Sequence, residues 1–438
     1  MPERHPVSAR RSRPVTFAVR LLSAIATLVG VAACTEDFQG GAACPELCPT
    51  QPTAFRDTTL EVVELDTTIS GFPTLGLAQS LLLATRPDTV EASIVLRFDV
   101  LPTSYMPSLS SRDTTSITKV DSVFLRVVID STGARGLTQV ELQAYDVDTT
   151  ESSPSPATLN ALFRPDRLIG SVPITTVAAR DTVRIPILKS VLEKKIADRA
   201  RLRIGIRLAG ASSAQLRVLA FNVNGIASPL LAFDPATDTT YAPVGAAPNT
   251  TFGGTTAEEL LAAAVASLAT KSTSDAGPQV LTVGGFPSRR TYLRFNIPSV
   301  ILDSSSVVRA ELLLTQVKSP GVDGRDSITV VPLIGATTSQ LTDIRRAMDL
   351  AAEGQFAFPQ LLGLRVIPAD SGVRRLNLLG ALNNWSALPV GTPKVLILRT
   401  ASEGSEPGEF RFYSMEALPS LRPRLRITYL RRVDRALP

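Results

Sequence analysis

Histidine is almost absent from this chain: His5 is the only one. It lies in a segment read below as a cleaved export signal. The mature chain would then have no imidazole for a general base, a Ser–His or Cys–His pair, or a metal site. Acid pairs would remain for glycosidic cleavage. Those present, such as Asp121 with Asp130 or Glu258 with Glu259, read as solvated strand or helix faces. No cofactor, no metal and no catalytic residue is expected. Aromatic residues make up 5% of the chain and there is one tryptophan, so platforms for stacking on sugars are thin. Excess charge is missing too. The formal net charge of +5 owes much to Arg4, Arg10, Arg11, Arg13 and Arg20, set against Glu3, all before Cys34. The remainder is nearly neutral, which gives no argument for nucleic acid as a partner.

Cysteine is scarce but placed informatively. Basic residues are followed by an apolar run, Leu21 to Ala33, too short for a comfortable transmembrane helix. The run ends in "VAAC", which resembles the bacterial lipobox, in which Cys34 carries the lipid and the signal is cut just before it. An ordinary cleavage site with a cysteine nearby by accident is the alternative. Acyl chains embed by about 0.8 kcal/mol per buried CH₂, so several chains anchor firmly. Thr35 rather than Asp follows the cysteine, which on analogy with lipoproteins favours export to the outer membrane. Arg10 and Arg11 form a pair, but the residues after them do not continue a twin-arginine signal. Cys44 and Cys48, in "CPELC", are expected to form a local disulfide staple or to stay as free thiols. Residues 34–54 read as a tether, with 1–33 as the signal.

The rest of the chain is rich in short alternating runs bounded by Gly, Pro, Ser and Asp, the pattern of an all-β protein. Those runs occur twice. "IVLRFDVLP" at Ile94 is matched by "TYLRFNIPS" at Thr291. Val120, Val123, Leu125 and Val127 have the spacing of Val307, Ala310, Leu312 and Leu314. "RLIGSVPI" at Arg167 pairs with "QLLGLRVI" at Gln360, and "DTVRIPI" at Asp181 with "SGVRRLNL" at Ser371. Each is followed by a short helical pattern and then a strand, "RLRIGIRL" or "PKVLILRT". "LRVLAFNVNGIASPLLAF" at Leu216 matches "FRFYSMEALPSLRPRLRI" at Phe410. Matched elements in one order identify a duplicated domain. The expected architecture is two tandem antiparallel jelly-roll-like β-sandwiches with a few short helices. Copy one is placed at 55–235, a linker at 236–249, copy two at 250–432 and a tail at 433–438. Helices are expected from Thr255, with Glu258 completing a capping box, and from Ser339 to Gly354.

"VLTVGGFPSRRTYLRFNIP", "VVRAELLLT", "LNLLGALNNWSALPVGTPKVLILRT" and "RFYSMEALPSLRPRLRITY" together resemble the DNRLRE-type domain. Those domains are jelly-roll sandwiches akin to carbohydrate-binding modules, found on bacterial surface and secreted proteins. The resemblance spans most of copy two and, more faintly, copy one. It implies framework roles for Arg294 and Trp385; copy one has the matching Arg97 but no tryptophan.

Candidate contacts are few. Tyr292, with Tyr105 and Tyr241 in loops, offers a thin aromatic platform, and Arg289, Arg290 and Arg294 are the residues that would meet an anionic sugar, although a solvated turn plus one framework arginine is the plainer account. "VGGF", Val283 to Phe286, reads as a turn. "DTT" recurs at Asp57, Asp66, Asp113, Asp148 and Asp238, as turn and strand-edge residues. The sequence thus points to a non-catalytic lipoprotein, a binding or structural module of the cell envelope. A polysaccharide-binding surface lipoprotein is the alternative, and a glycan-active hydrolase a more distant one. The expected partners are the membrane, through the lipid, and a polysaccharide or envelope protein.

Overall fold

A strand buries every second residue, so a three-residue step between buried positions demands an extra residue. The chain takes that step twice, from Val120 to Val123 and from Val307 to Ala310. In the computed structural model both steps are β-bulges. The ladder skips Asp121 in one copy and Val308 in the other, and Val308 is exposed. The structure describes residues 55–72, 80–86, 90–107, 113–151, 154–174, 182–210, 213–220, 229–235, 244–246, 265–271, 276–319, 327–335, 344, 346–347 and 363–431. Cys34, Cys44, Cys48, the signal and the tether lie outside them.

Among the described residues the order begins with β1 (Arg56–Leu60) and β2 (Val63–Phe72). The first repeat follows as β3 (Ser80–Arg86), β4 (Val90–Phe98), the small pair β5 (Ser104–Tyr105) and β6 (Thr115–Ser116), β7 (Val120–Arg135) and β8 (Val140–Asp146). It continues through helix α1 (Pro156–Asn160), β9 (Leu168–Ile174), β10 (Thr182–Pro186), helix α2 (Lys189–Ala197), β11 (Leu202–Ala209), β12 (Ala214–Leu219) and β13 (Leu230–Pro235). Then come β14 (Val244–Ala246) and β15 (Val265–Lys271). The second repeat has β16 (Val280–Gly284), β17 (Ser288–Phe295), α3 (Ser299–Leu302), β18 (Ser305–Val317), β19 (Ile328–Gly335) and β20 (Leu364–Val366). It ends with β21 (Gly372–Asn377), α4 (Leu379–Ser386), β22 (Lys394–Thr400), β23 (Glu409–Tyr413) and β24 (Arg424–Arg431).

The pairing is antiparallel throughout and the same in both units. In the second, β2, β17, β22, β19 and β20 form one arm; β1, β24, β18 and β21 form the other. β23 and β16 bridge the arms, because β23 pairs with β18 and β16 turns into β17. In the first, β15, β4, β11, β8 and β9 face β14, β13, β7 and β10, with β12 and β3 as the bridge. The inward residues of both arms meet in one core per unit. Leu96, Leu125, Leu142, Ile204 and Leu216 belong to the first; Leu293, Leu312, Leu398, Phe410 and Ile427 belong to the second. Outer faces are partly covered as well. Tyr145 and Val95 pack with Leu159 of α1. Gly205 lets Phe163 lie on the sheet, since a Cβ there would stand 2.5 Å from the ring.

The sandwiches do not follow the boundaries 55–235 and 250–432. β1 and β2 pair with β24 and β17, so residues 56–72 complete the second sandwich, not the first. β14 and β15 take the same places in the first sandwich, on β13 and β4. The stretch expected to be a linker therefore contains a strand of copy one. The helix expected from Thr255 is replaced over 265–271 by β15; its earlier residues lie outside those described. An Ala-rich stretch favours helix intrinsically, but an unpaired edge of β4 offers a full ladder of hydrogen bonds, and tertiary pairing overrides propensity. Of the helix expected from Ser339, Ile344, Arg346 and Ala347 are helical and the remainder is outside the described residues.

Candidate functional site

A dense cluster of charge among the described residues lies where the sandwiches meet. The loop from β22 to β23 carries Glu403, Glu406 and Glu409 at three-residue intervals. Opposite stands the β16–β17 turn, where Gly284 and Gly285 adopt positive φ of 87° and 84°. A side chain at 284 would strike the Gly408 carbonyl at 2.7 Å, so the glycine permits this close approach. The turn swings Arg289 and Arg290 toward the loop. Arg289 lies 3.4 Å from the fully buried Glu409, which also accepts from Arg411 Nε at 2.5 Å. Arg290 forms a two-pronged pair with Glu403, at 2.7 and 2.6 Å, and its guanidinium sits over the Phe72 ring. Arg399 reaches Glu403 as well. Glu406 receives Arg217 of the first sandwich at 3.1 Å. Burial raises the Glu406 pKa, with Arg217 opposing it. Beside this lies an apolar contact: Phe286 packs on Leu82, Ala84, Val90 and Ala92 of the first unit.

The residues expected to make ligand contacts are therefore turned inward. Arg289 and Arg290 are held by Glu409 and Glu403. Tyr292 is buried with Ile69, Phe72 and Ile397, and its hydroxyl donates to the Ala347 carbonyl at 3.3 Å. Burial pushes its pKa up to about 12. The reason is physical: β17 is covered on both faces along Arg289 to Tyr292, so the polar side chains there must find partners inside. The acidic partners were present in sequence as "EGSEPGE", but nothing local ties that loop to Arg289 and Arg290.

Arg294 and Arg97 occupy equivalent strand positions and have different partners. Arg97 donates to Asp99 two residues on, at 2.5 Å. The second repeat has Asn296 in place of that acid, and Arg294 instead donates to Glu64 of β2 at 2.6 Å. Around this pair is a shallow open cleft of about 410 Å³, lined also by Asn296, Thr392 and Lys394. It offers hydrogen-bonding groups of both signs to a small polar molecule. Trp385 is elsewhere, inside the second core with its ring centroid 5.3 Å from that of Phe295.

The first sandwich has its own polar hub at Asp148, one of the "DTT" aspartates. Its carboxylate accepts from Lys195 at 2.7 Å and Arg201 at 2.9 Å, with the fully buried Arg203 at 3.8 Å. Burial alone would raise the Asp148 pKa, but Lys195 and Arg201 outweigh it and hold the pKa low. Arg203 is itself pushed down to about 10 by burial and by Arg201. A depressed carboxylate stabilises the fold above its unfolded pKa near 4, and that share is lost as pH falls through the folded value. Asp148→Asn should thus cost about 1.5–3 kcal/mol at pH 7. The gap from wild type should narrow below about pH 4, measured by thermal melts across pH. A gap independent of pH would show that packing, not charge, is what Asp148 supplies.

Among the described residues no group of three or more His, Cys, Asp or Glu is arranged to hold a metal ion. No family model matches this chain, and no curated protein matches it significantly. What the fold and the site define is a class of architecture: a tandem β-sandwich protein whose charged clusters bind its own parts together.

Proposed function

We propose that the chain is a bacterial lipoprotein, anchored through Cys34 in the outer membrane, whose two sandwiches are a non-catalytic structural or binding module of the envelope. The observation that carries this reading is the basic segment, short apolar run and "VAAC" at Val31 to Cys34. The resemblance of copy two to DNRLRE-type domains supports the module. So does the use of Arg289, Arg290, Glu403 and Glu409 in internal pairs, which leaves them committed to holding the fold.

The anchor is tested by Cys34→Ala in cells. The wild-type protein should take up acyl label and fractionate with membranes; the variant should lose both the label and the membrane. A wild type that stays on membranes without label would overturn the lipoprotein reading.

A further inference from the structure

The two leading strand pairs have the same job in different sandwiches. β1 extends one arm of the second unit and β2 the other, so the pair straddles the core and closes it. β14 and β15 do this for the first unit. Main-chain ladders are blind to sequence, so backbone pairing alone does not say which pair belongs to which sandwich. Charge does distinguish them. The segment 55–72 carries Asp57, Glu61, Glu64 and Asp66 against the single cation Arg56. Compared strand for strand, β1 and β2 hold Asp57, Glu64 and Asp66, whereas β14 and β15 contain no acid and one cation, Lys271; Glu258 and Glu259 lie in the sequence between them.

The edges that receive them differ in the complementary sense. Arg426 on β24 holds Asp57 with two nitrogens, the shortest contact being 2.5 Å. Arg422 stands 3.7 Å from Glu61, and Arg294 takes Glu64 at 2.6 Å. Asp66 accepts from the Met415 backbone N–H at 2.8 Å. The first repeat has Ser228 and Ala232 at the positions of Arg422 and Arg426. Its Arg97 is already matched by Asp99. An acidic strand pair thus sits on a basic edge, and a nearly neutral pair on an edge of mixed charge, with Glu91 and Arg97 on β4 and Asp234 on β13.

We propose that the β17 and β24 edges of the second sandwich form a receptor selective for an acidic strand pair, and that a second copy of this chain can supply that pair in place of the chain's own β1 and β2. Exchange between copies would repeat between molecules the closure already made within one, with identical contacts and no new surface. The charges decide the partner, since like charges in register repel and opposite charges fix register.

Two full-length variants test this. One carries the donor reversal Asp57→Arg, Glu61→Arg and Glu64→Arg; the other carries the acceptor reversal Arg294→Glu, Arg422→Glu and Arg426→Glu. Alone, each is mismatched within its own chain, and amides 55–72 should exchange fast. Mixed, each donor matches the other's acceptor. Native mass spectrometry should then show at least about tenfold more mixed dimer than either variant self-associates, declining at high salt. A chain with all six substitutions should return to a protected monomer. If the single-sided variants do not fold separately, co-refolding should recover them together. Protected amides in the unmixed variants, no mixed dimer, or no recovery in co-refolding or in the six-fold chain would each overturn the proposal.

Discussion

Removal of residues 55–72 is expected to unfold the second sandwich and leave the first intact. These strands and the turn between them bury Val62, Val63, Ile69 and Phe72, all at 9% exposure or less. At about 1.5–3 kcal/mol for each buried apolar side chain, their loss approaches the roughly 5–15 kcal/mol that typically holds a whole domain. It also bares the edges of β17 and β24. The first sandwich keeps its own closing strands, β14 and β15, because they lie later in the chain. Trp385 is the only tryptophan and sits in the second core, so its emission reports that unit alone. The truncated protein should show red-shifted emission together with a surviving cooperative melt from the first unit. Blue-shifted emission and a wild-type melt would mean that β1 and β2 are ornaments on a self-sufficient domain. By the same reasoning residues 250–432 should not fold alone, since they lack both closing strands.

Trp385→Ala is expected to cost about 3–5 kcal/mol, the range for deleting a large core aromatic. The indole is 1% exposed and shares its core with Phe295, Ala381 and Leu382. Its position follows from helical spacing: Ala381, Leu382 and Trp385 fall on one face of α4, and that face lies on the sheet. The indole Nε1–H has no hydrogen-bond partner among the described residues. Trp385→Phe should therefore be much milder, because it keeps an aromatic ring and removes an unsatisfied donor. Denaturant unfolding followed by far-ultraviolet circular dichroism checks both. Equal losses for Ala and Phe would show that the indole nitrogen, not the ring, makes the decisive contact. An unchanged midpoint for the alanine variant would contradict a core role altogether.

The interplay of the two repeats shows how far one-dimensional information reaches. Strand identity was legible because burial on one face imprints a period of two, as at Leu125 and Val127 or Leu312 and Leu314. Even the bulges were written there, as the three-residue steps from Val120 and Val307, and the duplicated order led directly to the duplicated sandwich. The helix bearing Trp385 was legible from the same kind of spacing.

Partner choice was not legible. Asp57 and Arg426 are 369 residues apart, and Arg289 meets Glu409 across 120. Arg294 shows the limit most plainly. Its strand position calls for a carboxylate or a backbone carbonyl, but Asn296 occupies the place where the first repeat keeps Asp99, and the acid that answers lies 230 residues earlier in the chain. The residues alone determined what most segments are: strand, turn, short helix, repeat. Tertiary structure decided which sandwich each closing strand joins and which charges are spent inside. The physical reason is that backbone hydrogen bonds form with any edge in reach, so the choice among edges falls to side chains brought together only by folding.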